Sequence, residues 1–218
     1  MKTHATLIIC LGFALAPVPA LANNDSAELW FNPSVSFDLD ADTGIEIETA
    51  QRFRNAGDGR VDTYFGRIWL NQSISKNATL SGAIERRINN GGDDDTRLIQ
   101  QLSTSHGILR TRLRLEHRFV GNADQVGFRL RPRLGVAVPL DTEKRWTLRT
   151  DAELMFTLRS TRDGGTNGLT GLRTQLGVSY DINDRLTLSG TYLRQQEFER
   201  GAPDDVGHAP LIGIEYAF

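Results

Sequence analysis

Apolar and charged residues alternate along the middle of this chain. From Ile108 to Val120, one face of an extended chain carries leucine, threonine, histidine and phenylalanine, and the other carries four arginines and a glutamate. A period of two is typical of a β-strand, because successive side chains point to opposite faces. Residues 126–138 and 145–159 repeat the pattern. The sequence therefore predicts three consecutive strands, each with one apolar and one charged face.

The predicted strands are long, with 13 to 15 residues each. Strands of globular proteins average about 5–6 residues, whereas a tilted strand needs about 9–11 residues to cross the hydrocarbon of a membrane. A soluble sandwich would bury the apolar faces and leave the arginine faces in water, but it seldom requires strands of this length. Length and alternation together favour a transmembrane β-barrel.

The same alternation extends over the rest of the chain. Further strands are predicted at Glu28–Asp40, Gly44–Phe53, Val61–Ser75, Ala78–Asn89, Thr96–Ser105, Leu169–Asp181, Arg185–Phe198 and His208–Phe218. Single-chain bacterial barrels have an even number of strands. We therefore predict an all-β, up-and-down antiparallel barrel, assigned to residues 44–218, with ten strands from Gly44 onward. The barrel would have twelve strands if residues 28–40 pair with one that is not identified. Residues 23–43 are interpreted as an N-terminal segment with a first strand, and their role is left open.

The first 22 residues have the pattern of a cleaved secretory signal peptide. Lys2 precedes an uncharged apolar stretch, and Ala20-Leu21-Ala22 resembles a cleavage site, which places cleavage after Ala22. The apolar stretch is shorter than the roughly 20 residues of a spanning helix. The only cysteine, Cys10, lies within this stretch. The mature chain is therefore expected to have no disulfide and no thiolate metal site.

Loop lengths and aromatic residues predict the orientation of the barrel. Long external loops and short periplasmic turns are typical of outer-membrane barrels, and residues 160–168 and 199–207 are predicted to be long loops. This assignment places two belts of aromatic residues at the two membrane interfaces, as expected for such barrels. The predicted periplasmic belt contains Trp146, Tyr180, Tyr216 and Phe218, and the external belt contains Phe119, Phe128, Phe156 and Phe198.

Two further patterns support export to the outer membrane. The last strand alternates apolar residues and ends in Tyr216 and Phe218, which resembles the signal that outer-membrane proteins present to the barrel assembly machinery. The segments "RLRLEHRF" at 112–119, "RLRPRL" at 129–134 and "YLRQQ" at 192–196, with Trp30, Glu153 and Arg173, resemble a bacterial family of outer-membrane barrels catalogued as a domain of unknown function (2490). That resemblance implies an outer-membrane barrel and carries no activity or catalytic residues.

The charged faces would line the lumen of such a barrel. The candidate lumen residues, for bracing or for ion selectivity, are Arg110, Arg112, Arg114, Glu116, Arg129, Arg131, Arg133, Arg149, Glu153 and Arg173, joined by Glu46, Glu48, Glu85, Arg87, Arg118, Asp151 and Arg159. Charges in a confined space must pair or remain hydrated. The favoured interpretation is a structural or interaction barrel whose lumen is filled and braced by arginine–carboxylate pairs. The alternative is a narrow pore that favours anions.

Other functions receive little support from the sequence. A lipid-modifying enzyme would need a nucleophile and a base on the outer wall, and His106, His117 and His208 lack a spacing that marks such a pair. No catalytic residue, cofactor or metal site is predicted. Basic residues number 25 and acidic residues 27, so nucleic acid is not an expected partner. The expected partners are outer-membrane lipid, periplasmic chaperones and the barrel assembly machinery, in a Gram-negative cell.

Overall fold

The computed structural model describes residues 24–54 and 62–218, which form eleven strands and no helix. The predicted signal peptide, residues 1–22, lies outside this part of the chain. The strands are β1 (Asn24–Asp38), β2 (Thr43–Arg54), β3 (Thr63–Ser75), β4 (Ala78–Asn89), β5 (Asp95–His106), β6 (Leu109–Val120), β7 (Gly127–Pro139), β8 (Trp146–Arg159), β9 (Gly168–Asn183), β10 (Leu186–Glu197) and β11 (Asp205–Ala217). No helix able to span a membrane occurs among the described residues.

The eleven strands close into one barrel, in which each strand pairs with its neighbours in the chain and β1 pairs with β11. All pairs are antiparallel except β1–β11, which is parallel, with Trp30 opposite Leu211. The all-β, up-and-down architecture is confirmed, but the prediction of ten or twelve strands is wrong. An even count is required only if every pair is antiparallel, and the parallel seam between β1 and β11 allows an odd number. Residues 24–38 are thus a strand of the barrel wall.

The two ends of the barrel differ in their connections. One end, called the turn end here, contains two-residue connections at 76–77, 107–108 and 184–185. The other, called the loop end, contains the connections 160–167 and 198–204. Because β1 is parallel to β11, both strands run from the loop end to the turn end.

The connection between β1 and β2 lies at the turn end and is stabilised locally. The backbone amides of Asp42 and Thr43 donate hydrogen bonds to Asp40 Oδ1 at 2.9 and 2.8 Å. These bonds, above all the one from Asp42, favour the ionised carboxylate and lower the pKa of Asp40.

Apolar side chains cover the outer wall of the barrel. Ile68, Ile84 and Leu98 lie opposite one another on β3, β4 and β5 and point outward, and Ile68 and Ile84 are 59% and 60% exposed. The residues on either side of each in sequence point inward and include Arg67, Glu85 and Arg97. The period of two therefore places apolar residues outside and charged residues inside, the reverse of a soluble barrel.

The parallel seam can be tested with a pair of cysteines in the mature chain. Ser34 on β1 and Glu215 on β11 are directly opposite, which is within disulfide reach for paired strands. We expect Ser34→Cys with Glu215→Cys to form a disulfide in the folded barrel, read as a shift in a non-reducing gel. Thr187 on β10 is opposite Glu215 and thus about 9.5 Å, two strand spacings, from Ser34. Ser34→Cys with Thr187→Cys is the control, and cross-linking of the control alone would contradict the seam.

Candidate functional site

A belt of alternating charges runs around the inside of the barrel. Each strand from β2 to β9 contributes one member, in the order Glu48, Arg67, Glu85, Arg97, Glu116, Arg131, Glu153 and Arg173. We call these eight residues the charge belt. Each belt residue lies within ion-pair distance of the next. The belt holds four carboxylates and four guanidinium groups, so its formal charge is zero.

The first half of the belt is held together by hydrogen bonds around Glu85. Arg67 donates from Nε to Glu85 Oε2 at 2.8 Å, and its other guanidinium nitrogens reach Glu48 at 2.7 Å and Glu85. Arg87 donates to the second oxygen of Glu85 at 2.9 Å. Arg97 lies 3.7 Å from the same oxygen. Glu85 is therefore surrounded by three guanidinium groups, which offset the cost of removing its charge from water.

The second half of the belt is organised by Arg131, which lies between two carboxylates. Arg131 donates to Glu116 at 2.7 Å and to Glu153 at 2.5 Å. Glu153 also accepts a hydrogen bond from Arg112 on β6 and lies 3.7 Å from Arg173. A fork of donors on a planar guanidinium suits such bridging, which a lysine could not reproduce.

Two tryptophans pack against arginines of the barrel interior. Trp30 on β1 lies against Leu193 and Ala209, and the guanidinium groups of Arg52 and Arg173 lie 3.8 and 5.1 Å from its rings. Because Arg173 is on β9, this cation–π contact spans β10 and β11. In the same way, Arg114 on β6 lies 5.2 Å from the ring of Trp69 on β3.

The interior is filled at the level of the belt and open at both ends. Glu85, Glu116 and Glu153 expose only 0%, 1% and 1% of their surface, although all three point into the lumen. A cavity of about 870 Å³ lies at the turn end and is lined by Arg112, Arg133 and other residues. Two cavities of about 240 and 230 Å³ lie at the loop end. The belt therefore separates the spaces at the two ends.

The sequence is similar to a family of unknown function and to a solved structure. The model of a family described as "Protein of unknown function (DUF2490)" matches residues 27–206. The chain belongs to this family. No curated protein matches it significantly. One solved structure, described as "Unveiling the Mechanism Behind the in-meso Crystallization of Membrane Proteins", is 14% identical over 83% of this chain and 79% of its own, with a TM-score of 0.44. The resemblance to domain of unknown function 2490 is thus confirmed.

In this member of the DUF2490 family, the predicted lumen residues divide into two groups. Eight of the ten main candidates lie inside the barrel and contribute to or adjoin the belt: Arg112, Arg114, Glu116, Arg129, Arg131, Arg133, Glu153 and Arg173. Arg110 and Arg149 are exposed and line the turn-end cavity. Arg110 donates to the backbone carbonyls of Gly107 and Leu109. These two arginines are outside the belt.

Several important interior residues were not predicted, namely Arg52, Arg67, Asp95 and Arg97. Asp95 accepts hydrogen bonds from Arg97 at 2.8 Å and from Arg118 at 2.9 Å. The sequence feature that could have identified Arg67 and Arg97 is the alternation within β3 and β5. In these strands, however, the two arginines share their inward face with large apolar residues. Apolar residues such as Phe65 and Trp69 in β3 and Ile99 in β5 reduce the contrast between the two faces, so the sequence alone does not identify the inward face as a lumen face.

The predicted aromatic belts lie at opposite ends of the barrel wall. At the turn end, the rings of Trp146 and Tyr180 are 4.4 Å apart, and Phe218 lies 4.9 Å from Tyr216 and 4.6 Å from Phe37. Towards the loop end lie the four phenylalanines of the other predicted belt, Phe119, Phe128, Phe156 and Phe198. Phe198 follows β10 and, with Phe128, lines a loop-end cavity.

Proposed function

We propose that this chain is an integral protein of the Gram-negative outer membrane, with a closed lumen and a structural or interaction role. The observation that carries the closed lumen is the burial of Glu85, Glu116 and Glu153. In an open channel, carboxylates on the lumen wall would be in contact with water. Here arginines bind all three carboxylates, and the belt braces neighbouring strands in the manner of a small filled barrel.

The outer wall supports the membrane location. A soluble protein rarely exposes a contiguous apolar surface of this extent, whereas a membrane barrel requires an apolar band flanked by aromatic residues. Closure also satisfies the backbone hydrogen bonds of every strand within lipid. Export by the secretory pathway, periplasmic chaperones and assembly by the barrel machinery are parts of the proposal, supported by the N-terminal pattern and by the last strand with Tyr216 and Phe218.

The alternatives receive less support from the geometry. A small anion pore needs a continuous path, and the belt lies between the cavities at the two ends. A lipid-modifying enzyme would need a base on the outer wall, and the histidines there contact aromatic residues. His117 packs edge-on against Phe128 at 4.9 Å, and His208 Nδ1 lies 2.6 Å from the Tyr192 hydroxyl oxygen. The proposed role therefore includes no enzymatic step and no nucleic-acid partner.

Single-channel recording of the refolded mature chain in a planar bilayer tests the closed lumen. Insertion should be verified first by the heat-dependent gel shift of a folded barrel. We expect inserted protein to give no steady conductance, with a general porin in the same bilayers as the positive control. A steady, anion-selective current that changes when Arg131 is replaced by Gln would refute the closed lumen and favour the pore.

A further inference from the structure

One of the loop-end cavities is strongly cationic. Its volume is about 230 Å³, and its lining includes eight arginines but only three carboxylates, Asp93, Asp95 and Glu197. It lies on the loop side of the charge belt, and Arg97, Arg131 and Arg173 of the belt form part of its wall. A cavity with this lining has a positive potential, which low-dielectric walls strengthen.

The carboxylates of this cavity already have partners. Asp95 accepts hydrogen bonds from Arg97 and Arg118. Glu197 accepts one from Gln195 at 2.6 Å, and Asp93 accepts one from Asn122 at 3.0 Å. Most cavity arginines are similarly paired with belt carboxylates or with Asp95. The positive charge that these ion pairs leave uncompensated is thus confined to a few arginines.

Arg52 and Arg129 make no ion pair with a carboxylate among residues 24–54 and 62–218. Arg52 is only 7% exposed, its guanidinium stacks on Trp30, and its buried Nε has no hydrogen-bond partner. The buried Nε of Arg129 also has none. Glu116 is opposite Arg129 in the β6–β7 register, but its carboxylate is bound by Arg131.

Arg52 and Arg129 are suited to an anionic ligand. A buried cation without a partner is costly, and guanidinium groups bind planar or tetrahedral oxyanions through paired hydrogen bonds. We propose that a small free oxyanion, of the phosphate or carboxylate class, binds in this cavity and is held by Arg52 and Arg129. The cavity is smaller than the roughly 300–1,000 Å³ of sites for drug-sized molecules, so we assign it a free anion rather than a lipid.

The proposed anion site is independent of the proposed closed lumen, because anion binding and ion conductance are measured separately. Calorimetric titration of the refolded mature chain in neutral detergent with sodium phosphate tests it, with sodium chloride at matched ionic strength as the reference. We expect saturable phosphate binding, and chloride should not reproduce it. Arg52→Gln and Arg129→Gln should each weaken binding roughly tenfold or more, since each removes a charge-assisted contact.

Arg110→Gln is the matched control, because Arg110 is an exposed arginine at the other end of the barrel and its loss should leave phosphate binding unchanged. Folding of each variant is verified by the heat-dependent gel shift, and Arg129→Gln decides the question if Arg52→Gln does not refold. Absence of saturable binding, or equal binding by Arg129→Gln and the parent, would overturn the site. Binding of phospholipid micelles without binding of inorganic phosphate would overturn the assignment to a free anion.

Discussion

Replacement of Glu153 by Gln is expected to lower the free energy of unfolding of the barrel by about 3–5 kcal/mol, the cost of leaving buried charges without their partner. Glu153 is 1% exposed and contacts three arginines, Arg112, Arg131 and Arg173. Arg131 would retain Glu116, but Glu153 is the carboxylate that pairs with Arg112 and Arg173. The loss should appear as a lower urea midpoint, followed by tryptophan fluorescence and the gel shift in detergent.

Two further variants make this prediction specific to the belt. Glu143→Gln removes an identical charge from an exposed position in the connection between β7 and β8, and its effect should lie within about 0.5 kcal/mol. Adding Arg112→Gln to Glu153→Gln should restore part of the loss, because one uncompensated cation disappears with it. A cost below about 1 kcal/mol for Glu153→Gln would mean that water reaches the belt, which would also weaken the proposed closed lumen.

Strand positions were predictable because the alternation is strict where the lumen face is fully charged. In β6, each inward position from Arg110 to Arg118 is charged. The period of two is therefore visible in the sequence of this strand alone, without knowing which strands lie beside it. Alternation also marks eleven strand segments, but it does not show how the first of them pairs, so the even-number rule led to ten or twelve. Nothing within the β1 sequence distinguishes a parallel from an antiparallel partner, since either partner leaves the same residues facing inward.

The pairing of charges was also beyond the sequence, because it depends on the stagger between strands. Arg112 lies opposite Arg133 in the β6–β7 register, and Arg133 lies opposite Glu153 on β8. Nevertheless Arg112 reaches past β7 to Glu153. Arg133 itself pairs with Asp151, although Glu153 lies directly opposite it. The partners that long side chains reach inside a barrel are therefore not selected by nearest-neighbour register alone. Alternation predicted many of the residues that enter the lumen but not Arg52, Arg67 or Arg97, and barrel geometry determines which of them meet.

The charge belt also explains how charged side chains can close a lumen. Charge alternates between adjacent strands, so Glu85, Glu116 and Glu153 each have a belt guanidinium on both sides. Long arginine side chains bridge the strand-to-strand spacing of about 4.8 Å. An apolar core would satisfy packing equally well but would leave the two faces of each strand alike. Such a chain would lose the contrast that places one face in lipid and the other inside.

The strongest test of the membrane location is a charge on the outer wall. Ile84 lies near the middle of β4, is 60% exposed and has Ile68 and Leu98 beside it. If this surface is in lipid, Ile84→Arg should lower the free energy of unfolding by about 2–4 kcal/mol, as for arginine near the midplane of other membrane barrels. The measurement is urea unfolding of the barrel refolded in phospholipid vesicles.

The control is Leu140→Arg, at a similarly exposed leucine in the connection that follows β7. This position lies at the turn end, where water or lipid headgroups would hydrate the guanidinium, so its cost should be about 0–1 kcal/mol. A barrel in water would treat both substitutions alike, because both sites are open to solvent. Equal and small effects of Ile84→Arg and Leu140→Arg would therefore contradict the membrane location, whereas a difference of about 2 kcal/mol or more follows only if the middle of the outer wall is in hydrocarbon.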